Sequence, residues 1–180
     1  GVINKIRVSQ YSTNPHRGRV VFELNESINV IGDVVNNSLE FKLTKFSLAD
    51  KVITIDPGHG GKDPGALGYS TLREKKPVLD IGLKLEKLLT EAGAEVIMTR
   101  RKDEFVPLEE RVKLANKVNS DIFVSLHLNG HRRPSSFGTE TFIAPNSNQQ
   151  TKLLAQFIQA SLVDSLGTFD RGVKAEELYV

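Results

Sequence analysis

The sequence predicts an α/β protein: a mostly parallel sheet flanked by helices, preceded by a small β-rich segment. Two textures carry this expectation. Residues 1–50 hold period-2 alternations broken by Asn, Gly and Pro, the pattern of antiparallel strands. Residues 51–180 hold short apolar runs alternating with helical periodicity, the rhythm that packs helices on the faces of a parallel sheet. Two domains are therefore expected, 1–50 and 51–180.

In the first segment, Ile6-Arg7-Val8 and residues 19–24, 28–30 and 39–43 predict about four strands. Asn14-Pro15, Asn25, Gly32-Asp33 and Asn36-Asn37 supply the turns between them. A segment of this size buries little core alone, so it is expected to lean on a larger unit. The second segment opens with the strand Val52-Ile53-Thr54-Ile55, which runs into a glycine-rich loop. Residues 78–89 repeat apolar side chains at helical spacing, and Ala92-Gly93 stops the helix. A second strand spans 95–99. A second helix spans 107–118, with Pro107 at its start and Leu108, Val112 and Ala115 expected inward. Residues 121–128 are almost continuously apolar, as expected of a buried parallel strand. Residues 138–144 predict a fourth strand and 150–166 a long helix.

Composition excludes several functions. With 24 Lys and Arg against 22 Asp and Glu, the net charge of +2 gives no electrostatic argument for nucleic acid. No apolar run reaches the ~18 residues of a membrane span. The chain has no Cys, so disulfide scaffolds and thiolate metal sites are out, and His and carboxylates are the ligands left. The chain opens at Gly1 without Met and closes at Val180 in an apolar run; both ends are expected to be cuts, with any export signal already removed.

Three residues stand out by position: His59 in the loop after the first parallel strand, Glu74 where that loop enters the first helix, and His127 at the carboxyl end of the third strand. Open α/β sheets bind ligands outside the carboxyl ends of their strands. Two His and a carboxylate, with water in the fourth position, make a catalytic zinc site suited to amide or ester hydrolysis. Asp56 and Asn129 lie beside these groups as candidate contacts to the ligands or to substrate. The same residues also fit ordinary hydrogen-bonding or loop roles, and the residue pattern leaves both readings open. The loop Gly58-His59-Gly60-Gly61-Lys62-Asp63 lacks the spacing and the Ser/Thr of a phosphate-binding loop, and no GxGxxG occurs. His131 is expected in solvent, and Arg100-Arg101-Lys102, followed by Asp103 and Glu104, is expected to be a solvated turn.

The run Asp56-Pro57-Gly58-His59-Gly60-Gly61-Lys62-Asp63-Pro64-Gly65-Ala66 resembles the opening signature of the zinc-dependent N-acetylmuramoyl-L-alanine amidases (the amidase_3 family). Arg73-Glu74-Lys75, Thr99-Arg100, Asp103, Val106-Pro107-Leu108, Glu110-Arg111, Ala115-Asn116, residues 125–130, Gly138-Thr139-Glu140-Thr141 and Arg171-Gly172-Val173-Lys174 continue the likeness in order. Residues 1–50 resemble part of an AMIN module, a wall-targeting β domain.

The resemblance implies one Zn²⁺ on His59, Glu74 and His127. The implied reaction is hydrolysis of the amide between N-acetylmuramic acid and L-alanine in peptidoglycan, in cell-wall remodelling or daughter-cell separation. It also implies an exported protein of the periplasm or wall, with regulatory protein partners. The family's general-base Glu follows the Arg-Gly-Val-Lys segment on a later strand and is expected beyond Val180. Glu140, Glu176 and Glu177 are poor substitutes by position. A peptidoglycan-binding module without turnover and a different zinc peptidase acting on stem peptides are the competing readings; residues 51–180 lack HExxH.

Overall fold

A computed structural model describes residues 2–25, 28–36, 38–45, 47–68, 71–130 and 137–177. The chain divides into two units, one of residues 1–51 with 89–95 and the other of residues 52–88 with 96–180. Residues 89–95 join the first because Ala92 accepts from the Leu48 N–H and Lys51 accepts from the Glu95 N–H.

The first unit is two antiparallel hairpins, β1 (Ile3–Thr13) with β2 (His16–Leu24) and β3 (Ile28–Val35) with β4 (Ser38–Lys45). Their cross-strand pairs place Ile6 opposite Phe22 and Val8 opposite Val20, and Phe22 meets Phe41 edge to face. The turn at Asn14-Pro15 lies where the sequence predicts it. Gly32-Asp33, expected to be a turn, instead runs through β3 opposite Phe41 and Glu40. Phe41 covers the bare glycine, with its ring 2.9 Å from where a Cβ would stand, so the strand continues to the turn at Asn36.

In the second unit β5 (Val52–Pro57) lies between β6 (Glu95–Met98) and β7 (Ile122–Leu126). β5 and β7 are parallel, with Ile53 opposite Ile122 and Pro57 opposite Leu126. The helices are α1 (Lys75–Glu91), α2 (Leu108–Lys117) and α3 (Gln149–Leu166); β8 (Thr139–Ile143) pairs in parallel with β9 (Asp170–Ala175), and α3 packs on both. The α/β expectation therefore holds. β9 is an element that the sequence reading left without a secondary-structure assignment, because Asp170, Arg171, Gly172 and Lys174 carry no strand-like alternation.

Ile53, Ile55, Val78, Met98 and Ala115 form the apolar core around β5. On α2 the expected inward face is wrong in part. Leu108 and Val112 are exposed, and the buried residues are Arg111 and Ala115. An arginine is buried on a helix where its N–H groups find partners, and Arg111 finds Asp56 and the carbonyls of Val106, Pro57 and His59 beneath the glycine-rich loop. On α1 the buried positions are Val78 and Gly82; a Cβ at Gly82 would stand 2.8 Å from Pro57, so β5 and the helix approach closely there.

Candidate metal centre

The structure brings His59, Glu74 and His127 to one point at the carboxyl ends of β5 and β7. His59 Nε2 lies 3.3 Å from Glu74 Oε1 and 3.1 Å from His127 Nδ1, and His127 Nδ1 lies 3.2 Å from Glu74 Oε1. Ligands about 2.0–2.1 Å from a tetrahedral zinc ion are separated by about 3.3 Å, so this two-nitrogen, one-oxygen donor set fits the ion.

Two of these candidate donors, His59 and Glu74, are fixed from behind. His59 sits at φ 61°, a left-handed conformation that costs a non-glycine residue about 1 kcal/mol. Reciprocal backbone bonds between Gly60 and Asp63 close the loop around it. His59 Nδ1 donates to Asp63 Oδ2 at 2.9 Å, which leaves Nε2 facing the other ligands. Burial acts against the charge on Asp63, but the His59 hydrogen bond and the Gly65 N–H hold its carboxyl below the usual range. Glu74 is buried, and its oxygens accept from the Ala66 N–H at 2.8 Å and the Leu128 N–H at 2.6 Å. Burial alone would raise its pKa; the bonds from His127, Ala66 and Leu128 and the nearby His59 outweigh that and bring it down to about 2. Glu74 is thus an anion at neutral pH, ready as a ligand. Gly58 makes room for the third: a Cβ there would stand 2.4 Å from the His127 ring.

Below the loop lie two buried arginines, Arg100 and Arg111, whose burial nothing in the local sequence predicts. Arg111 Nη1 pairs with Asp56 Oδ1 at 2.6 Å, and its other N–H groups donate to the carbonyls of Val106 and His59. Arg100, expected in a solvated turn, is 2% exposed and donates to the carbonyls of Pro57, Gly58, Lys75 and Lys102. Only Arg101 and Lys102 of that run are exposed. The one signal available in advance was that Thr99-Arg100 and Glu110-Arg111 fall inside the motifs that carry the family resemblance.

Asp56 is wholly buried, accepting from Thr99, Ser125 and Arg111, so its place is under the loop and out of substrate's reach. Asn129 is exposed and donates to Glu140 at 3.3 Å. Glu140 also accepts from Lys174 at 2.5 Å and Arg171 at 2.7 Å, and these hydrogen bonds, Lys174 first, hold its pKa at about 2 despite partial burial. A carboxylate so strongly committed is a poor proton acceptor. Glu176 and Glu177 are exposed beyond the end of β9. His131 lies outside the described residues.

Residues 53–180 match the Amidase_3 family, described as N-acetylmuramoyl-L-alanine amidase. The chain is 39% identical over 137 residues to N-acetylmuramoyl-L-alanine amidase LytC of Bacillus subtilis, covering 76% of this chain and 27% of that relative. The catalytic domain of CwlV, an N-acetylmuramoyl-L-alanine amidase from Bacillus (Paenibacillus) polymyxa var. colistinus, superposes with a TM-score of 0.67 at 36% identity, covering 72% of each chain. The CwlD amidase of Clostridioides difficile, solved in complex with the GerS lipoprotein, gives 0.64 at 34% identity, covering 72% of this chain and 75% of that one. The chain spans 26% to 63% of the length of such curated relatives.

Proposed function

Because this chain belongs to the N-acetylmuramoyl-L-alanine amidase family Amidase_3, we propose that it serves hydrolysis of the amide between N-acetylmuramic acid and L-alanine of peptidoglycan, with zinc held by His59, Glu74 and His127. The observation that carries the ligand assignment is the triangle of donor atoms 3.1 to 3.3 Å on a side. When bound, zinc supplies Lewis acidity toward the scissile carbonyl and lowers the pKa of water. The chain's own part is to present two imidazole nitrogens and one carboxylate: Asp63 sets the His59 tautomer, and the Ala66 and Leu128 N–H groups aim Glu74.

The general base belongs in this proposal to a Glu outside residues 1–180, on a strand after the Arg171–Lys174 segment. In support, Glu140 is bound by two cations and an amide, and Asp63 is engaged by His59 and Gly65. Residues 1–50, built as two hairpins, are proposed as a partial AMIN-like wall-targeting segment. Action on the wall outside the cell membrane and control by a protein partner complete the reading; CwlD, a relative, is found with a lipoprotein. No described helix is long and apolar enough to cross a membrane.

The test is to titrate the chain with Zn²⁺ and to assay a longer chain, continued past Val180, for new L-alanine amino termini on purified muropeptides. One equivalent of zinc, abolished in His59→Ala and His127→Ala, is expected, together with released termini. Unchanged zinc affinity in both variants overturns the site. Cosedimentation with sacculi and no released termini makes the protein a binder. Free D-amino acids among the products make it a different peptidase.

A further inference from the structure

Arg100 is buried, and among the described residues none of its hydrogen bonds goes to the candidate ligand side chains, yet it bonds to the backbone next to two of them. Its Nη2 donates to Gly58 O at 2.8 Å and to Lys75 O at 2.9 Å. Gly58 is the residue before His59, and Lys75 is the residue after Glu74. One nitrogen thus joins the two segments, after β5 and at the start of α1, from which two of the three donors project. Nε fixes the preceding carbonyl, Pro57 O, at 2.7 Å. The stem packs close beneath the loop: a Cβ at Gly60 would stand 3.1 Å from Arg100 Cδ.

The partners of Arg100 argue for a geometric role. Among the described residues it hydrogen-bonds to four carbonyls and to no carboxylate. Burial and the neighbouring Arg111 act against its charge, and Asp103, Asp56 and Glu104 favour it from a distance without a hydrogen bond to it. A buried cation without a hydrogen-bonded counter-ion is an expensive way to gain stability, but a planar five-donor fork is well suited to fixing the relative placement of several peptide units.

The geometry points to Arg100 as a positioning residue of the metal centre, a strut that sets the spacing of His59 and Glu74 before any ion arrives. This rests on the ligand reading given above, and it adds that the site is preformed by a guanidinium bonded to the backbone beside the ligands rather than to their side chains. An ammonium at the same place keeps the charge but cannot span Pro57, Gly58 and Lys75 with a rigid fork.

The experiment compares wild type, Arg100→Lys and Arg100→Gln, each as the full 180-residue chain, with zinc affinity from chelator competition and ligand geometry from the absorption bands of Co²⁺. For Arg100→Lys the expected result is zinc affinity at least about 10-fold weaker in the folded fraction and a changed Co²⁺ spectrum, the scale of losing a group that orients a ligand. Arg100→Gln, without charge or fork, should lose at least as much. A residue that only stabilises the fold would lower the melting temperature and leave affinity and spectrum of the folded protein at wild-type values; that result overturns the strut. A second readout needs no variant. In metal-free wild type the Arg100 guanidinium protons should already exchange slowly by ¹⁵N NMR, and if protection appears only after zinc is added the inference fails. If wild type takes up no zinc while that protection is present, the ligand reading falls and the bridge between the two segments stands.

Discussion

Replacing Arg111 with Met removes one guanidinium and tests whether the glycine-rich loop is held from below. Arg111 and Asp56 have side chains 2% and 1% exposed, and they meet at 2.6 Å. Removing one partner of a buried ion pair costs about 3–5 kcal/mol, because the other charge is left without compensation. Asp56 would keep its bonds from Thr99 and Ser125, which places the loss at the lower end. The carbonyls of Val106 and His59 would each lose a donor, adding about 1 kcal/mol where water does not replace it. The sum is about 4 kcal/mol, or a fall of roughly 10 °C in melting temperature for a chain of this size. Urea unfolding followed by the helical circular dichroism signal measures it, and the Asp56→Asn/Arg111→Met double mutant isolates the pair. A coupling of about 2 kcal/mol is expected, within the ~0.5–3 kcal/mol seen for residues in contact. A loss under about 1 kcal/mol for Arg111→Met, or additivity within about 0.5 kcal/mol, would refute the argument.

Asp63→Asn should weaken zinc binding about 10-fold by chelator competition, since the amide holds the His59 tautomer less firmly than a carboxylate does. Gly58→Ala should weaken it at least as much while shifting urea stability little, because the added methyl meets the His127 ring and the Gly58 backbone is not left-handed; wild-type affinity would show that His127 does not need that space. Glu140→Gln should destabilise the protein at pH 7 and progressively less toward pH 2. The Glu140 pKa is lowered from 4.5 to about 2, so its contribution is full above about 4.5 and fades as pH falls through about 2. The shift allows about 3 kcal/mol, and the one-third exposure of Arg171 and Lys174 reduces that to about 1–2 kcal/mol. A deficit equal at pH 3 and pH 7 would place the effect elsewhere.

What could be read from the sequence follows from where the physics is local. Residues 52–55 and 121–128 announce parallel strands by their nearly continuous apolar character; β5 is buried as that pattern predicts, whereas β7, expected to be buried, is only half-buried along its length. His59 and His127 are legible as a pair because strand ends converge by topology, before any side-chain contact is known. Glu74 is reached only through the end of its loop, and its aim depends on N–H groups from Ala66 and Leu128, 8 and 54 residues away in sequence. The buried arginines were illegible for the same reason in stronger form. Arginine reads as surface, and only the assembled tertiary structure supplies the carbonyls that make its burial tolerable. Arg100 beside Arg101 and Lys102 has nothing local to set it apart.

The same contrast separates two kinds of carboxylate around the site. Glu74 and Glu140 both have pKa values of about 2, yet for different physical reasons. Glu74 is held by two backbone N–H groups and by imidazoles, partners that leave Oε1 turned toward the histidine nitrogens. Glu140 is held chiefly by Lys174 and Arg171, full cations that satisfy Oε2 directly, with Asn129 on Oε1. An anion held by backbone N–H groups and imidazoles keeps an oxygen facing the point where a cation would enter; one already paired with two cations does not. The depressed pKa alone cannot distinguish a metal ligand from a structural tie between β8 and β9. The identity of the donors does, and it favours the ligand role proposed for Glu74 and a tie between β8 and β9 for Glu140.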